Sequence, residues 1–145
     1  MHENYLQIKT NHLYQPLGLN FWTCWTFIAS AYWAYSRNCN SLFLACSTCL
    51  ILGLLNHATY HHIFRQLDLF MNCIFFIYFT IQCATWNMYY YLSIISVVIV
   101  GAGYPLFSFS KYGLYFHSFI HIAGNTGIIL MTEGCYISNC LLCSG

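Results

Sequence analysis

Four basic and three acidic side chains are spread so unevenly over 145 residues that the chain falls into long uncharged stretches. Glu3 and Lys9 stand near the start, followed only by Arg37, Arg65, Asp68, Lys111 and Glu133. The segments Thr10–Ser36, Asn38–Phe64, Leu69–Ser110 and Tyr112–Thr132 carry no formal charge at all. About 20 apolar residues at about 1.5 Å rise cross a hydrocarbon core of about 30 Å. Charged residues make up 5% of the chain, against about a quarter in a soluble domain, so they cannot cover the surface of a water-soluble globule. The aromatic content of 20% excludes a disordered chain, which lacks the apolar side chains that offset the entropy of ordering. A net charge of +1 excludes a nucleic-acid binder, which needs a basic patch. The expectation is an integral, multi-pass membrane protein.

The first, second and fourth uncharged stretches each hold one span. The third is about twice the needed length, and the polar Thr85-Trp86-Asn87 divides it. The sequence therefore predicts an all-α, polytopic transmembrane helix bundle of about five spans, near 19–36, 41–62, 67–84, 88–107 and 112–132. A polar tail over 1–18 precedes this single domain (19–132), and a Cys-rich tail over 133–145 follows it. The spans lack the period-2 alternation of barrel strands, and residues 1–18 lack the apolar core of a signal peptide. Pro16 suits a first helical turn, and Pro105 helps stop the fourth span. With five spans, Lys9, Arg65 and Lys111 share one side and Arg37 the other, which favours a cytoplasmic N-terminus and an exoplasmic C-terminal tail.

Seven histidines are many for so apolar a chain. His2 and His12 lie in the polar tail. The other five form two clusters, Asn56-His57-Ala58-Thr59-Tyr60-His61-His62 and His117-Ser118-Phe119-Ile120-His121. His57 and His61, like His117 and His121, are four residues apart, which on a helix places both imidazoles on one face. Such a pair can fill two coordination positions of one ion, and catalytic zinc takes three protein ligands and water. Helix parity brings the clusters together: the end of the second span, the start of the third at Asp68 and the start of the fifth face one leaflet. Ionisable groups inside spans are costly and default to a functional reading, although a structural role for each histidine, and an Arg65–Asp68 ion pair, remain simpler accounts.

Tyr60-His61 followed by Phe64-Arg65-Gln66-Leu67-Asp68 at the head of a membrane helix resembles the haemolysin-III and progestin/adipoQ-receptor proteins, and through them the alkaline ceramidases. His117-Ser118-Phe119-Ile120-His121 resembles the His-Ser-Phe-x-His of myomaker and its relatives in the same superfamily. The likeness covers roughly 50–84 and 112–132. It implies zinc ligands at His61, His117 and His121, with Asp68 orienting or deprotonating a water molecule. The family's Ser falls on His57, which would act as a fourth ligand or as a partner of that water. A gap-free comparison with the ceramidases, which space His and Asp eleven apart, makes His57 the ligand in place of His61. The family has seven spans where this chain has about five, so its lipid pocket would be smaller or open to the bilayer. The implied activity is zinc-dependent hydrolysis of a lipid amide, ceramide-like, or of an ester. The rival is a non-catalytic membrane protein with a structural zinc or a membrane-remodelling role; bis-His haem ligation is a third reading.

Of nine cysteines, Cys24, Cys46, Cys49, Cys73 and Cys83 fall inside spans, where Cys ordinarily packs as a small hydrophobe. Cys135, Cys140 and Cys143 crowd the tail, poised for a disulfide if exoplasmic or palmitoylation if cytoplasmic. Gly101 and Gly103 in the fourth span, with Gly113, Ala123, Gly124 and Gly127 in the fifth, are expected to form close helix-packing surfaces, within the chain or in a homo-oligomer. Membrane lipids are the expected partners.

Overall fold

The computed structural model describes residues 18–59, 61–107 and 112–143. The N-terminal tail with His2, His12, Lys9 and Pro16 lies outside the described residues, as do Tyr60 and Lys111. The described residues form α1 (Leu19–Cys24), α2 (Phe27–Ser36), α3 (Asn40–Thr59), α4 (His62–Gln82), α5 (Met88–Phe107) and α6 (Gly113–Ile137). The all-helical expectation holds. Two of the helices, Asn40–Thr59 and His62–Gln82, are long and apolar enough to cross a membrane, and Met88–Tyr104 forms a shorter apolar stretch.

The first expected span is broken at Trp25-Thr26 without Pro or Gly. Its threonines cause the break: Thr23 Oγ1 donates to the Asn20 carbonyl at 3.1 Å and Thr26 Oγ1 to the Thr23 carbonyl at 2.6 Å. The backbone N–H groups of Trp25, Thr26, Ile28 and Ala29 reach carbonyls three residues back, at 3.0–3.3 Å. Hydroxyls that compete for backbone acceptors, with local tightening of the turn, are a recognised origin of helix bends.

Helices α1 and α2 lie parallel to α6 and are tied to it along their whole length. Ser118 Oγ donates to Asn20 Oδ1 at 2.7 Å, Thr23 meets His121, and Asn125 holds Thr26 and Ser30. Farther on, Trp33 Nε1, Arg37 Nε and Arg37 Nη2 all donate to the Glu133 carboxylate at 3.0–3.1 Å. The Arg37 guanidinium also stacks on Trp33 and Tyr136, 4.9 and 4.5 Å from the ring centroids. The last helix thus runs beyond the expected end at residue 132, and Glu133 belongs to it. Helix α5 packs on the other side of α6, where small residues permit close approach: a Cβ on Gly103 would lie 2.5 Å from Phe116, and one on Gly127 2.8 Å from Ser96.

The turns at the end of the bundle carrying Arg37 are closed by Cys39–Cys143 and Cys135–Cys140 disulfides. There Asn87 Nδ2 donates to the Gly134 carbonyl and Ser138 Oγ, both at 2.9 Å, while its Oδ1 accepts from the Tyr90 N–H. Tyr90 Oη reaches the Thr80 carbonyl at 3.2 Å, which holds α5 beside α4 at this end. Toward the other end the two helices face each other across a cavity. The outward surfaces are apolar, with Tyr32, Leu44, Ile81, Val98 and Phe119 all exposed.

Glu133→Ala should lower stability by about 1–3 kcal/mol, the range for losing hydrogen bonds to a charged acceptor, with a smaller loss in Glu133→Gln. Thermal unfolding in detergent measures both; equal stability of Glu133→Ala and the parent would show that the Arg37 cluster does not hold the helices together.

Candidate metal centre

Helix α6 presents His117 and His121 one turn apart, with ring centroids 4.8 Å apart and their Nε2 atoms 3.1 Å apart. From the last turn of α3, buried His57 places its ring 5.1 Å from His117 and 5.3 Å from His121. The distance between the His117 and His121 nitrogens suits two positions of a tetrahedral ion, with the His57 ring beside them. Zn–N bonds of about 2.0–2.1 Å imply ligating nitrogens about 3.3 Å apart and ring centroids about 5 Å apart. A further donor stands beside them: Cys24 Sγ is 3.7 Å from His121 Nδ1, and the donor atoms of Cys24, His57 and His121 lie within 4.8 Å of one another.

The surroundings orient these rings. Thr23 has one hydroxyl proton, which it gives to the Asn20 carbonyl, so its oxygen can accept from His121 Nδ1–H at 2.8 Å. In that tautomer Nε2, on the side of His117, carries the free lone pair. Hydrogen bonds of this kind fix the ring orientation of metal-ligating histidines. Gly53 lets α3 pass close to the centre: a Cβ there would come within 3.1 Å of Cys24 Sγ and 3.8 Å of Asp68 Oδ1.

Asp68 is buried in the second turn of α4. Asn56 Nδ2 donates to its Oδ2 at 2.8 Å and Asn72 Nδ2 to its Oδ1 at 2.7 Å. One amide on each oxygen fixes the carboxylate plane and leaves lone pairs unoccupied, since an ionised carboxylate offers about four. Asp68, Arg65 and the three histidines line one end of a cavity of about 450 Å³. Its walls are apolar and come from facing helices, with Phe76 and Ile77 on α4 opposite Val97 and Val100 on α5.

The structure gathers His57, His117, His121 and Asp68. It does not bring His61 to them, so of the expected ligands His61, His117 and His121 it places only the last two together, with His57 beside them. The reason is the helix end: α3 stops at Thr59, short of the expected 62, so His57 and His61 do not share a helical face. His61 is exposed and caps α4, its side chain accepting from the Ile63 N–H at 3.4 Å. His62 is exposed and lies 5.3 Å from the His61 ring. Asp68 is held by the two asparagines, where the sequence suggested Arg65. Asn72 was legible as an i, i+4 amide–carboxylate pair; Thr23 and Cys24 gave no signal, because only the break in the first span turns them toward His121.

Comparison with protein-family models, curated proteins and solved structures found no match to this chain.

His57→Ala and His121→Ala should each remove most of the bound metal from detergent-purified protein, whereas His61→Ala should leave it in place. Elemental analysis of the three variants decides, and equal loss in His61→Ala would restore the ligand set expected from the sequence.

Proposed function

We propose that the protein is a multi-pass membrane hydrolase, zinc-dependent, acting on a lipid amide of ceramide type or on a lipid ester. The observation that carries this reading is the cavity in which His57, His117, His121 and Asp68 share one polar end and apolar walls continue away from it. Its volume is in the range of small-molecule sites. From Asp68 to Ile77 the α4 wall extends about 13 Å along the helix axis, enough for part of an acyl chain to follow while the amide or ester stays by the histidines. Zinc held there would polarise the carbonyl under attack and lower the pKa of water towards about 7. His57, His117 and His121 bind and centre the ion; Asp68, its plane set by Asn56 and Asn72, accepts the proton of the attacking water and returns it to the leaving nitrogen or oxygen. The superfamily resemblance supports the same assignment, with His57 in the place of the ligand from the second span.

Exposed apolar side chains on every helical segment support a lipid surround, in which the segments make five crossings. The two disulfides lie at the end opposite the histidines, and disulfides persist in oxidising compartments. With the three-to-one distribution of basic residues, they support a cytoplasmic N-terminus and metal centre and an exoplasmic Cys-rich tail. In intact cells, a membrane-impermeant reductant followed by an impermeant maleimide should label Cys143; protection until permeabilisation would reverse the orientation. The second reading, a structural metal centre without catalysis, is favoured by one feature: Cys24 offers a fourth protein donor, and four protein ligands close a zinc site.

Asp68→Asn should retain zinc while lipid hydrolysis falls by about two to four orders of magnitude, the range for losing a general base. Zinc content and ceramide turnover are measured on one preparation. Loss of metal with activity falling in proportion would make Asp68 a structural support, and wild-type protein with full zinc and no turnover on lipid amides or esters would favour the non-catalytic reading.

A further inference from the structure

His121 stands between two donor sets. Its Nε2 faces His117 Nε2 at 3.1 Å, and its Nδ1 faces Thr23 Oγ1 at 2.8 Å and Cys24 Sγ at 3.7 Å. His57 is within reach of both sides, 5.1 Å from the His117 ring and grouped with Cys24 and His121 on the other. A tetrahedral zinc with one Zn–S bond of about 2.3 Å and one Zn–N bond of about 2.0–2.1 Å places sulfur and nitrogen about 3.6 Å apart, close to the Cys24–His121 distance. Both tautomers of His121 are satisfied by existing partners. With the proton on Nδ1, it is donated to Thr23 and Nε2 can bind metal beside His117. With the proton on Nε2, it is donated to His117 Nε2 and Nδ1 can bind metal beside Cys24.

We propose that the centre has two seats for one metal ion: a three-histidine seat of His57, His117 and His121 Nε2, and a thiolate seat of Cys24, His57 and His121 Nδ1. This inference rests on the metal-binding part of the proposed function and adds its regulation. Passage to the thiolate seat would break the metal bonds to His117 Nε2 and His121 Nε2 and the Cys24 S–H bond, form metal bonds to Cys24 Sγ and His121 Nδ1, move the imidazole proton from Nδ1 to the vacated Nε2, and release the thiol proton to solvent. No electron is transferred. An ion on the thiolate seat has left His117 and is withdrawn from the set assigned to hydrolysis, so Cys24 acts as a metal-parking ligand. Its burial, with 1% of its surface exposed, shields the thiolate from bulk oxidants and reserves it for the ion. Gly53 lets α3 pack closely on the thiol, since a Cβ there would lie 3.1 Å from Cys24 Sγ.

The test uses full-length protein in detergent loaded with cobalt(II), whose thiolate complexes show a sulfur-to-metal charge-transfer band in the near ultraviolet. Wild-type protein should bind one cobalt per chain and show the band. Cys24→Ser should keep the cobalt on the histidine seat and lose the band. His117→Ala should keep the cobalt on the thiolate seat and intensify the band. Cobalt bound without the band in the wild type, a band that survives in Cys24→Ser, or loss of cobalt from His117→Ala would each overturn the two-seat arrangement and leave the three-histidine centre standing. Absence of cobalt from the wild type would overturn the metal reading itself, and this inference with it. If Cys24→Ser does not fold, X-ray absorption of zinc-loaded His117→Ala replaces it: a sulfur neighbour at about 2.3 Å is expected, and a nitrogen-only shell overturns the proposal.

Discussion

The polar seam between the broken first helix and α6 is the contact on which the rest depends. Asn20, Thr23, Thr26 and Ser30 recur at helical spacing on one side, and Ser118, His121 and Asn125 on the other. Buried among apolar helices, each of these groups would cost a few kcal/mol without a partner; paired, each contributes little more than about 0.6 kcal/mol in a membrane setting. The seam therefore does more for register than for stability. A slip by one residue would leave several polar groups unpaired at once, so the parallel alignment of the first and last helical segments is well specified. That alignment sets the depth of His121, the seat of Cys24 and, through the break at Trp25-Thr26, the hydrogen bond that orients the imidazole.

The two ends of the bundle are built on different principles. The Arg37 end is cross-linked: disulfides, the Glu133 cluster and the Asn87 contacts fasten every turn, and Tyr90 holds α5 to α4. At the histidine end, α4 and α5 face each other across the cavity. An element able to admit a lipid must come from the less constrained part of a fold, and a rigid opposite end confines the freedom to separate to one place. The Gly103 and Gly127 contacts keep α5 on α6, so any widening of the cavity falls to α4.

Charge spacing, with the polar Thr85-Trp86-Asn87 dividing the longest uncharged stretch, made the helical segments legible, since so few charged residues leave little choice about where apolar runs begin and end. The ranges 88–107 and 19–36 coincide with observed helix ends, although nothing in the pattern announced the internal break at residue 25. What misled was the end of α3. The four-residue spacing of His57 and His61 has chemical meaning only if the helix continues through both, and it stops at Thr59 to let His61 cap the next helix. His61 and His57 are chemically identical, and the choice of His61 rests on the Tyr60-His61 and Phe64-Arg65-Gln66-Leu67-Asp68 resemblance, a register that helix length, never secure in such a reading, could not check. Asp68 and the His117/His121 pair were legible because each depends on spacing within one element. Cys24, Thr23 and Asn56 were not, because each acts across a helix–helix contact that no local pattern encodes.

His57 and Cys24 are donors from two different helices, grouped with His121 by distance. His117 and His121 bring two imidazoles from α6 and His57 brings a third from α3, while His61 caps α4. A bundle this small has few elements from which to recruit donors. Drawing one from the end of α3 and another from the break in the first span draws the centre inward, toward the polar seam. The result of this compactness is that the Cys24 thiol stands 3.7 Å from His121 Nδ1, and the tautomer of His121 decides which of its nitrogens offers a lone pair.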